Sequence, residues 1–263
     1  MSRRIYKKPH RAKRQKPLYK KPLFWKSIVL LSLAGGGIWL VCFSPALEVK
    51  EITVAGTQKI NQQECVKTIQ DEVNKKIALF DSKSILLFDL DQTKKELMAQ
   101  FPQLQNIKIE RQFPSKIIAS VEERRAVAVF ESGGKRYSLD SDGIAFEESA
   151  ADSGDLLKIT DSGIQIELGK PAVARDMMQG ILRLKSGVNL AGITVTEAAI
   201  ATPERINLLT RDGWYVYFNP LKDIDGQLAK LAAVMADDSF KSKKANLEYA
   251  DVRFTRVYLK EKP

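Results

Sequence analysis

Histidine and cysteine are almost missing from this chain. Its 263 residues hold one His, His10, and two Cys, Cys42 and Cys65. Beyond residue 47 there is no His and a single Cys. That excludes His-based triads, His-containing zinc sites and most general-base chemistry from the larger part of the protein. Cys42 lies in an apolar run and Cys65 on an expected helix, so they provide no disulfide framework. Acidic residues are absent from residues 1–26, which carry eleven Lys/Arg. The formal net charge of +10 therefore sits in a tail. Without it, 31 Lys/Arg face 32 Asp/Glu, and this near-neutral remainder offers no electrostatic footprint for nucleic acid. No Pro-, Gly- or Ser-rich linker interrupts it, so any domains are nearly contiguous.

What is present begins with Ser27–Leu47, 21 residues without a charge. A helix of that length reaches about 30 Å, the thickness of a bilayer's hydrocarbon core. It is longer than the apolar region of a cleaved signal peptide, although Ser44-Pro45-Ala46 is a weak cleavage-like triplet. Cys42 follows Trp39-Leu40-Val41 and lacks the small residues a lipoprotein site needs. The reading is an uncleaved anchor, with Trp25 and Trp39 at interfacial positions and Gly35-Gly36-Gly37 permitting close helix approach. The basic tail stays cytoplasmic and attracts anionic lipid, which places residues 48–263 across the membrane.

Residues 48–122 read as β-α-α-β-β. Val49, Ile52 and Val54 suggest a strand closed by Gly56. Asn61 with Glu64 resembles a capping box, followed by Val66, Ile69, Val73 and Ile77 at helical spacing. After Asp81–Ser84 and the apolar run Ile85–Phe88, Asp91 caps a second helix that ends before Phe101-Pro102. Ile107 and Ile109 alternate as a strand, Phe113-Pro114-Ser115 turns, and Ile117, Ala119 and Val121 form the next strand. Residues 123–263 are richer in β signals. Hairpins are expected around Gly133-Gly134 and Asp212-Gly213, and a tight turn at Asp142-Gly143. A loop is expected over Asp152–Asp155, and helices over Val173–Leu184 and Asp223–Ala236. The closing β segments are Leu247–Tyr249 and Val252–Leu259.

No dense catalytic motif emerges. Asp140 and Asp142 beside a turn, and Asp89 and Asp91 beside a helix start, read as turn and cap residues. Trp214, Tyr215, Tyr217 and Phe218 read as alternating core and surface positions of a hairpin. Glu122-Glu123-Arg124-Arg125 reads as a solvated junction between two domains. Catalytic residues, cofactors and metals are not expected.

Several strings, in order, resemble the FtsQ/DivIB family of bacterial cell-division proteins. Ile52-Thr53-Val54-Ala55-Gly56 followed by Ile60, then Ser84-Ile85-Leu86-Leu87-Phe88-Asp89, then Leu97 and Phe101-Pro102, look like its POTRA module. Ile107–Pro114 and Val121-Glu122-Glu123-Arg124 with Val127-Ala128 look like that module's end and the entry to the next domain. Leu139-Asp140-Ser141-Asp142-Gly143 is similar to the family's D-x-x-G hairpin, and Tyr249-Ala250-Asp251-Val252-Arg253-Phe254 to its Y-x-D-[LV]-R-[FY] signature. The last turn departs from the pattern, since Thr255-Arg256 leads directly to Val257-Tyr258-Leu259.

The resemblance implies an α+β fold. A basic cytoplasmic tail (1–26) precedes a single transmembrane helix (27–47). A POTRA-like domain (48–122) and a β-rich mixed domain with an antiparallel sheet and flanking helices (123–263) follow. It implies a non-enzymatic scaffold at the division septum of the bacterial cytoplasmic membrane, its C-terminal part periplasmic or otherwise extracytoplasmic. The implied partners are FtsB/DivIC-type and FtsL-type single-span coiled-coil proteins, other divisome membrane proteins, and lipid through the span and tail. The alternatives are a POTRA component of outer-membrane protein assembly or secretion, and an envelope hydrolase. The family's partner surface lies at the C-terminal strand region. Carried over by the signature, the candidate partner-binding residues are Arg253 and Phe254, with Val257 and Tyr258 as a weaker extension. Strand alternation places Arg253 and Phe254 on opposite faces. The physical route is β-augmentation, in which an exposed strand lends unpaired backbone groups to a partner segment.

Overall fold

The computed structural model describes residues 21–75, 83–149, 156–161, 165–237, 240 and 244–263. Most of the basic tail, Ile77, the Asp81-Ser82 pair and the expected loop at Asp152–Asp155 lie outside them.

The first element is helix α1, Pro22–Phe43, 22 residues long. It starts five residues earlier than expected because Pro22 suits a first helical position. It stops short of Leu47 because Pro45 follows Ser44, and a residue before proline is pushed into extended backbone; Ser44 has φ −71° and ψ 123°. Over Pro22–Leu40 none of it is buried against the rest of the chain, and Leu30, Leu31 and Leu33 are each about 70% exposed or more. In length and composition it suits a bilayer, which hides the apolar area that water penalises.

A small three-stranded sheet with two helices comes next: β1 (Glu51–Ala55), α2 (Gln62–Val73), α3 (Leu90–Gln100), β2 (Leu104–Gln112) and β3 (Lys116–Glu123). The strand order is β1-β3-β2, with β1 parallel and β2 antiparallel to β3. Asn61 caps α2 by accepting from Gln63 N. The cap of α3 is Asp89, which accepts from Gln92 N; Asp91 sits in the first turn, where its charge suits the helix dipole. Val54, Cys65, Ile69, Leu97, Ile107 and Ile117 form the core of this layer. Gly56 closes β1 at φ +99°, and a Cβ there would lie 2.0 Å from Val121 O. Only glycine fits that approach.

The rest of the chain builds one nine-stranded mixed sheet. Its elements are β4 (Ala128–Ser132), β5 (Lys135–Leu139), β6 (Ala145–Glu148), β7 (Leu157–Asp161), α4 (Arg175–Leu190), β8 (Val195–Thr202), β9 (Arg205–Thr210), β10 (Tyr215–Phe218), α5 (Ile224–Ala236), β11 (Leu247–Asp251) and β12 (Tyr258–Glu261). The order is β12-β11-β10-β9-β8-β7-β4-β5-β6. Antiparallel hairpins are joined by parallel pairs β4–β7, β7–β8 and β10–β11. Met178, Ile181, Leu184 and Val188 of α4 and Leu231 of α5 share a core with Phe130, Ile159, Leu208, Val216 and Phe218. Each such side chain contributes about 1.5–3 kcal/mol on burial.

Three expectations change here. The helix expected over Val173–Leu184 runs from Arg175 to Leu190, through Ser186 and Gly187. Burial of Leu184 and Val188 offsets the poor helix propensity of that turn. Strands β7 and β8 were not anticipated; in β8 the run Glu197–Ala201 has little β propensity and is held by neighbours on both sides. Val252–Leu259 is not one strand, because backbone pairing resumes only at Tyr258.

The candidate functional site at the open edge of the large sheet

A sheet has two edges, and unpaired edges invite other chains. At one end, β6 is covered by its own chain: Gly169 N donates to Ala145 O, Ala145 N to Lys170 O, and Ile144 bridges Pro171. At the other end, among the described residues, no strand lies beyond β12. All four residues of β12 are exposed. Its inner side pairs with β11 in the register Asp251↔Tyr258, Ala250↔Leu259 and Tyr249↔Lys260, and Lys262 N closes the pairing on Asn246 O. Tyr258 is 56% and Leu259 40% exposed. By contrast β2, an edge of the small sheet, shows solvent the ion pair Lys108–Glu110. Charges of that kind blunt an edge; β12 carries Lys260, paired with Glu248, and Glu261 in its second half, while its first half shows Tyr258 and Leu259.

The loop between β11 and β12 is tied down from below. Lys230 of α5 donates to Val252 O at 2.7 Å and Phe254 O at 2.5 Å, and Val252 N donates to Tyr217 O. Arg253 is clamped by Asp251: Arg253 Nε donates to Asp251 Oδ1 at 2.9 Å, Nη2 to Oδ2 at 2.7 Å, and the Arg253 backbone N to Oδ1 at 3.1 Å. The hydrogen bond to Asp251, against the opposing effect of burial, holds the guanidinium still more firmly charged than usual. Fork-to-fork pairs of this kind fix direction as well as energy. Arg253 and Phe254 therefore sit in a loop, not on opposite faces of a strand.

Register places Tyr215, Tyr217, Tyr249, Asp251, Tyr258 and Lys260 on the sheet face opposite Val216, Phe218 and Ala250 of the core. Tyr217 and Tyr249 stack at 4.7 Å between ring centroids. Arg205 lies 4.1 Å over Tyr217 and Arg253 5.9 Å from the same ring. Phe254 packs edge-on against Tyr258 at 5.9 Å, with the Arg253 guanidinium 5.3 Å from the Phe254 ring. Of the four candidate residues, Arg253, Phe254 and Tyr258 converge on this end of the sheet. Val257 is half-buried against the large core and anchors the loop's return. Sequence reasoning missed Asp251 as the clamp, Lys230 as the loop's tether and Tyr217 and Tyr249 as its aromatic floor. The Asp two residues before an Arg was a readable signal; Lys230 gave none.

The junction between the two layers is solvated at Glu122 and Arg125, which are exposed, but built at Glu123 and Arg124. Glu123 accepts from the backbone N–H groups of Gln58, Lys59 and Ile60 at 2.7–3.0 Å. Burial opposes its ionisation, but those three donors outweigh it and hold the carboxyl below its ordinary 4.5. Arg124 donates to Pro102 O and pairs with Asp140, their side chains only 11% and 2% exposed. Asp140 also accepts from Asp142 N at 2.9 Å and Ile144 N at 3.0 Å. Gly143 completes that turn at φ +78°, where a Cβ would meet Val173 O at 2.3 Å.

These features meet in two adjoining family models. One, described as POTRA domain, FtsQ-type, matches residues 47–124; the other, described as Cell division protein FtsQ/DivIB, C-terminal, matches residues 128–253. The chain belongs to the FtsQ/DivIB family of cell-division proteins. Curated FtsQ/DivIB relatives are distant. Cell division protein FtsQ of Streptomyces bingchenggensis is 28% identical over 119 residues, which is 45% of this chain and 42% of the relative. FtsQ of Myxococcus fulvus is 26% identical over 144 residues, covering 54% and 47%. Cell division protein DivIB of Clostridium tetani is 27% identical over 123 residues, covering 46% and 42%. The chain thus spans about half the length of the curated relatives it matches. The solved major extracytoplasmic domain of the trans isomer of DivIB from Geobacillus stearothermophilus is 18% identical. It covers 44% of this chain and 96% of that one with a TM-score of 0.31, a likeness that adds nothing to the assignment.

Proposed function

We propose that this FtsQ/DivIB-family chain is a single-span, non-enzymatic scaffold of the division septum that captures a partner segment on β12. In this reading α1 crosses the cytoplasmic membrane with residues 1–26 inside. The POTRA-like domain (48–122) and the β domain (123–263) lie outside. The observation that carries it is the open edge of β12, with Tyr258 and Leu259 exposed, beside a loop fixed by Asp251 and Lys230. The partner is an FtsB/DivIC-type or FtsL-type single-span coiled-coil protein with a short extended stretch. That stretch adds to the sheet through main-chain hydrogen bonds, while alternate side chains choose it. Tyr258 and Phe254 supply apolar anchors. A guanidinium has five donors, and Asp251 engages Nε and Nη2, so Arg253 still has donors with which to meet a partner carboxylate. Through this contact the chain links early and late divisome components and supports septal wall synthesis.

The test is co-purification of the full chain with the FtsB/DivIC-type partner from dividing cells. Arg253→Glu combined with deletion of residues 255–263 abolishes capture while membrane insertion persists. Unchanged co-purification sinks the reading.

A further inference from the structure

We propose that the membrane-proximal end of the small sheet rests in the lipid headgroup layer through Phe113 and Leu86. This is a second contact surface, distinct from β12, and it relies on the foregoing reading only in that α1 crosses a membrane.

The placement follows from the chain. Helix α1 ends at Phe43, and Leu47 N donates to Ser44 O at 3.0 Å, so residues 44–47 form a tight turn. A turn of that kind spans less than about 7 Å, which keeps Leu47 within roughly 10 Å of the helix end. A headgroup layer is about 5–8 Å deep on each side of the hydrocarbon. The Leu47 carbonyl accepts from Ile85 N at 2.8 Å, and Val49 N donates to Lys83 O at 3.0 Å. The turn carrying Leu86 is thereby held at the depth of Leu47. Arg111 Nη2 donates to Phe88 O at 2.5 Å and Lys50 N to Ser115 O at 2.8 Å, which brings the β2–β3 turn to the same end.

What this end shows to solvent is unusual for a tight turn. Phe113 is 59% and Leu86 40% exposed, on an otherwise well-packed layer. An aromatic ring on a turn tip loses contact with water most cheaply at a bilayer interface. Lys50 and Lys83 are exposed beside them, Lys116 pairs with Glu51, and Glu48 and Asp89 are exposed acids at the same end, so the contact rests on the apolar side chains and not on net charge. The opposite end of β3, at Glu122, lies about 20 Å away along the strand. Docking therefore tilts the layer so that one end meets lipid and the other does not.

The experiment uses the full chain in vesicles of phosphatidylglycerol and phosphatidylethanolamine, in a Cys42→Ser background. Cys65 is fully buried and escapes the label. Nitroxides are placed by Phe113→Cys, Leu86→Cys, Glu122→Cys and Leu33→Cys, and their collisions with oxygen and with a nickel chelate are compared. The expected result is lipid-like accessibility at 33, interfacial at 113 and 86, and aqueous at 122. Because a nitroxide is itself apolar, a label at Gln112→Cys is read with Phe113 and Leu86 intact and with both changed to Ser. Each lost side chain lowers the docked-to-undocked ratio roughly tenfold. Water-like values at 113 and 86 with lipid-like values at 33 overturn the inference and leave the patch to a protein partner. Water-like values at 33 as well overturn the anchor itself.

Discussion

Replacing Arg124 with Leu should destabilise the protein by about 3 kcal/mol. The figure follows from what the substitution strands. Asp140 is 2% exposed and Arg124 is its one cationic partner among the described residues. Removing one member of a buried pair usually costs about 3–5 kcal/mol, since the other charge is left desolvated. Here Asp140 keeps the backbone donors Asp142 N and Ile144 N, which puts the cost at the low end. Arg124 also surrenders its bond to Pro102 O, so the loss loosens the small sheet's tie to the large one. For a unit of this size, about 3 kcal/mol lowers Tm by about 6–12 °C. The assay is thermal unfolding of the full chain in detergent, followed by the fluorescence of Trp214 in the large core. Adding Asp140→Asn to Arg124→Leu removes the stranded charge and should recover at least about 1 kcal/mol. A Tm within 2 °C of the parent for Arg124→Leu, or a double variant that falls by the sum of the singles, refutes a buried, coupled pair; about 0.3–0.5 kcal/mol is the scatter expected of independent sites.

Other outcomes follow from the same geometry. Gly143→Ala should cost about 2 kcal/mol or more, seen as a lower urea midpoint, because it combines positive φ with a Cβ against Val173 O. Glu123 has a folded pKa below its ordinary 4.5, so its contribution is complete above that value and is lost as pH falls through the lower folded value. Glu123→Gln should flatten the stability profile below pH 4.5 and leave the part above pH 6 parallel to the parent. Burial raises the Cys65 thiol, with Glu64 and Glu123 adding to the effect. It should resist alkylation at pH 8 until denaturant opens the small core, and modification at the rate of a free thiol contradicts that packing. Asp251→Ala should weaken partner capture more than it lowers Tm, since it frees the Arg253 fork while leaving the β11–β12 register intact.

The fold was legible where side-chain spacing alone decided the element. Val66, Ile69 and Val73 gave α2, and alternation around Asp212-Gly213 gave β9 and β10. It was illegible where tertiary burial overrode propensity. The helix expected to end at Leu184 runs on through Ser186 and Gly187 to Leu190, because the Val188 side chain completes the large core. Ala198, Ala199 and Ala201 carry no strand signal, and β8 exists because β7 and β9 pair with it on both sides. At the candidate site, Arg253 and Phe254, named from the signature, and Val257 and Tyr258, named as its extension, fall at one end of the sheet, but their geometry could not be read from local pattern. Asp251 converts an expected strand into a clamped loop, and Lys230 reaches that loop from 22 residues earlier in the chain. In the charged run Glu122–Arg125, Glu122 and Arg125 are solvated as read, but Glu123 and Arg124 are not, because their partners at Gln58–Ile60 and Asp140 are distant in sequence.

The most direct measurement of the central claim is hydrogen exchange at the β12 amides, Tyr258–Glu261, in the full chain with and without the FtsB/DivIC-type partner. Addition of a strand at the open edge predicts slowed exchange at β12 and unchanged exchange at β2, the edge of the small sheet. Protection at β2 with none at β12, or no protection at either while the partner remains bound, contradicts capture at this edge.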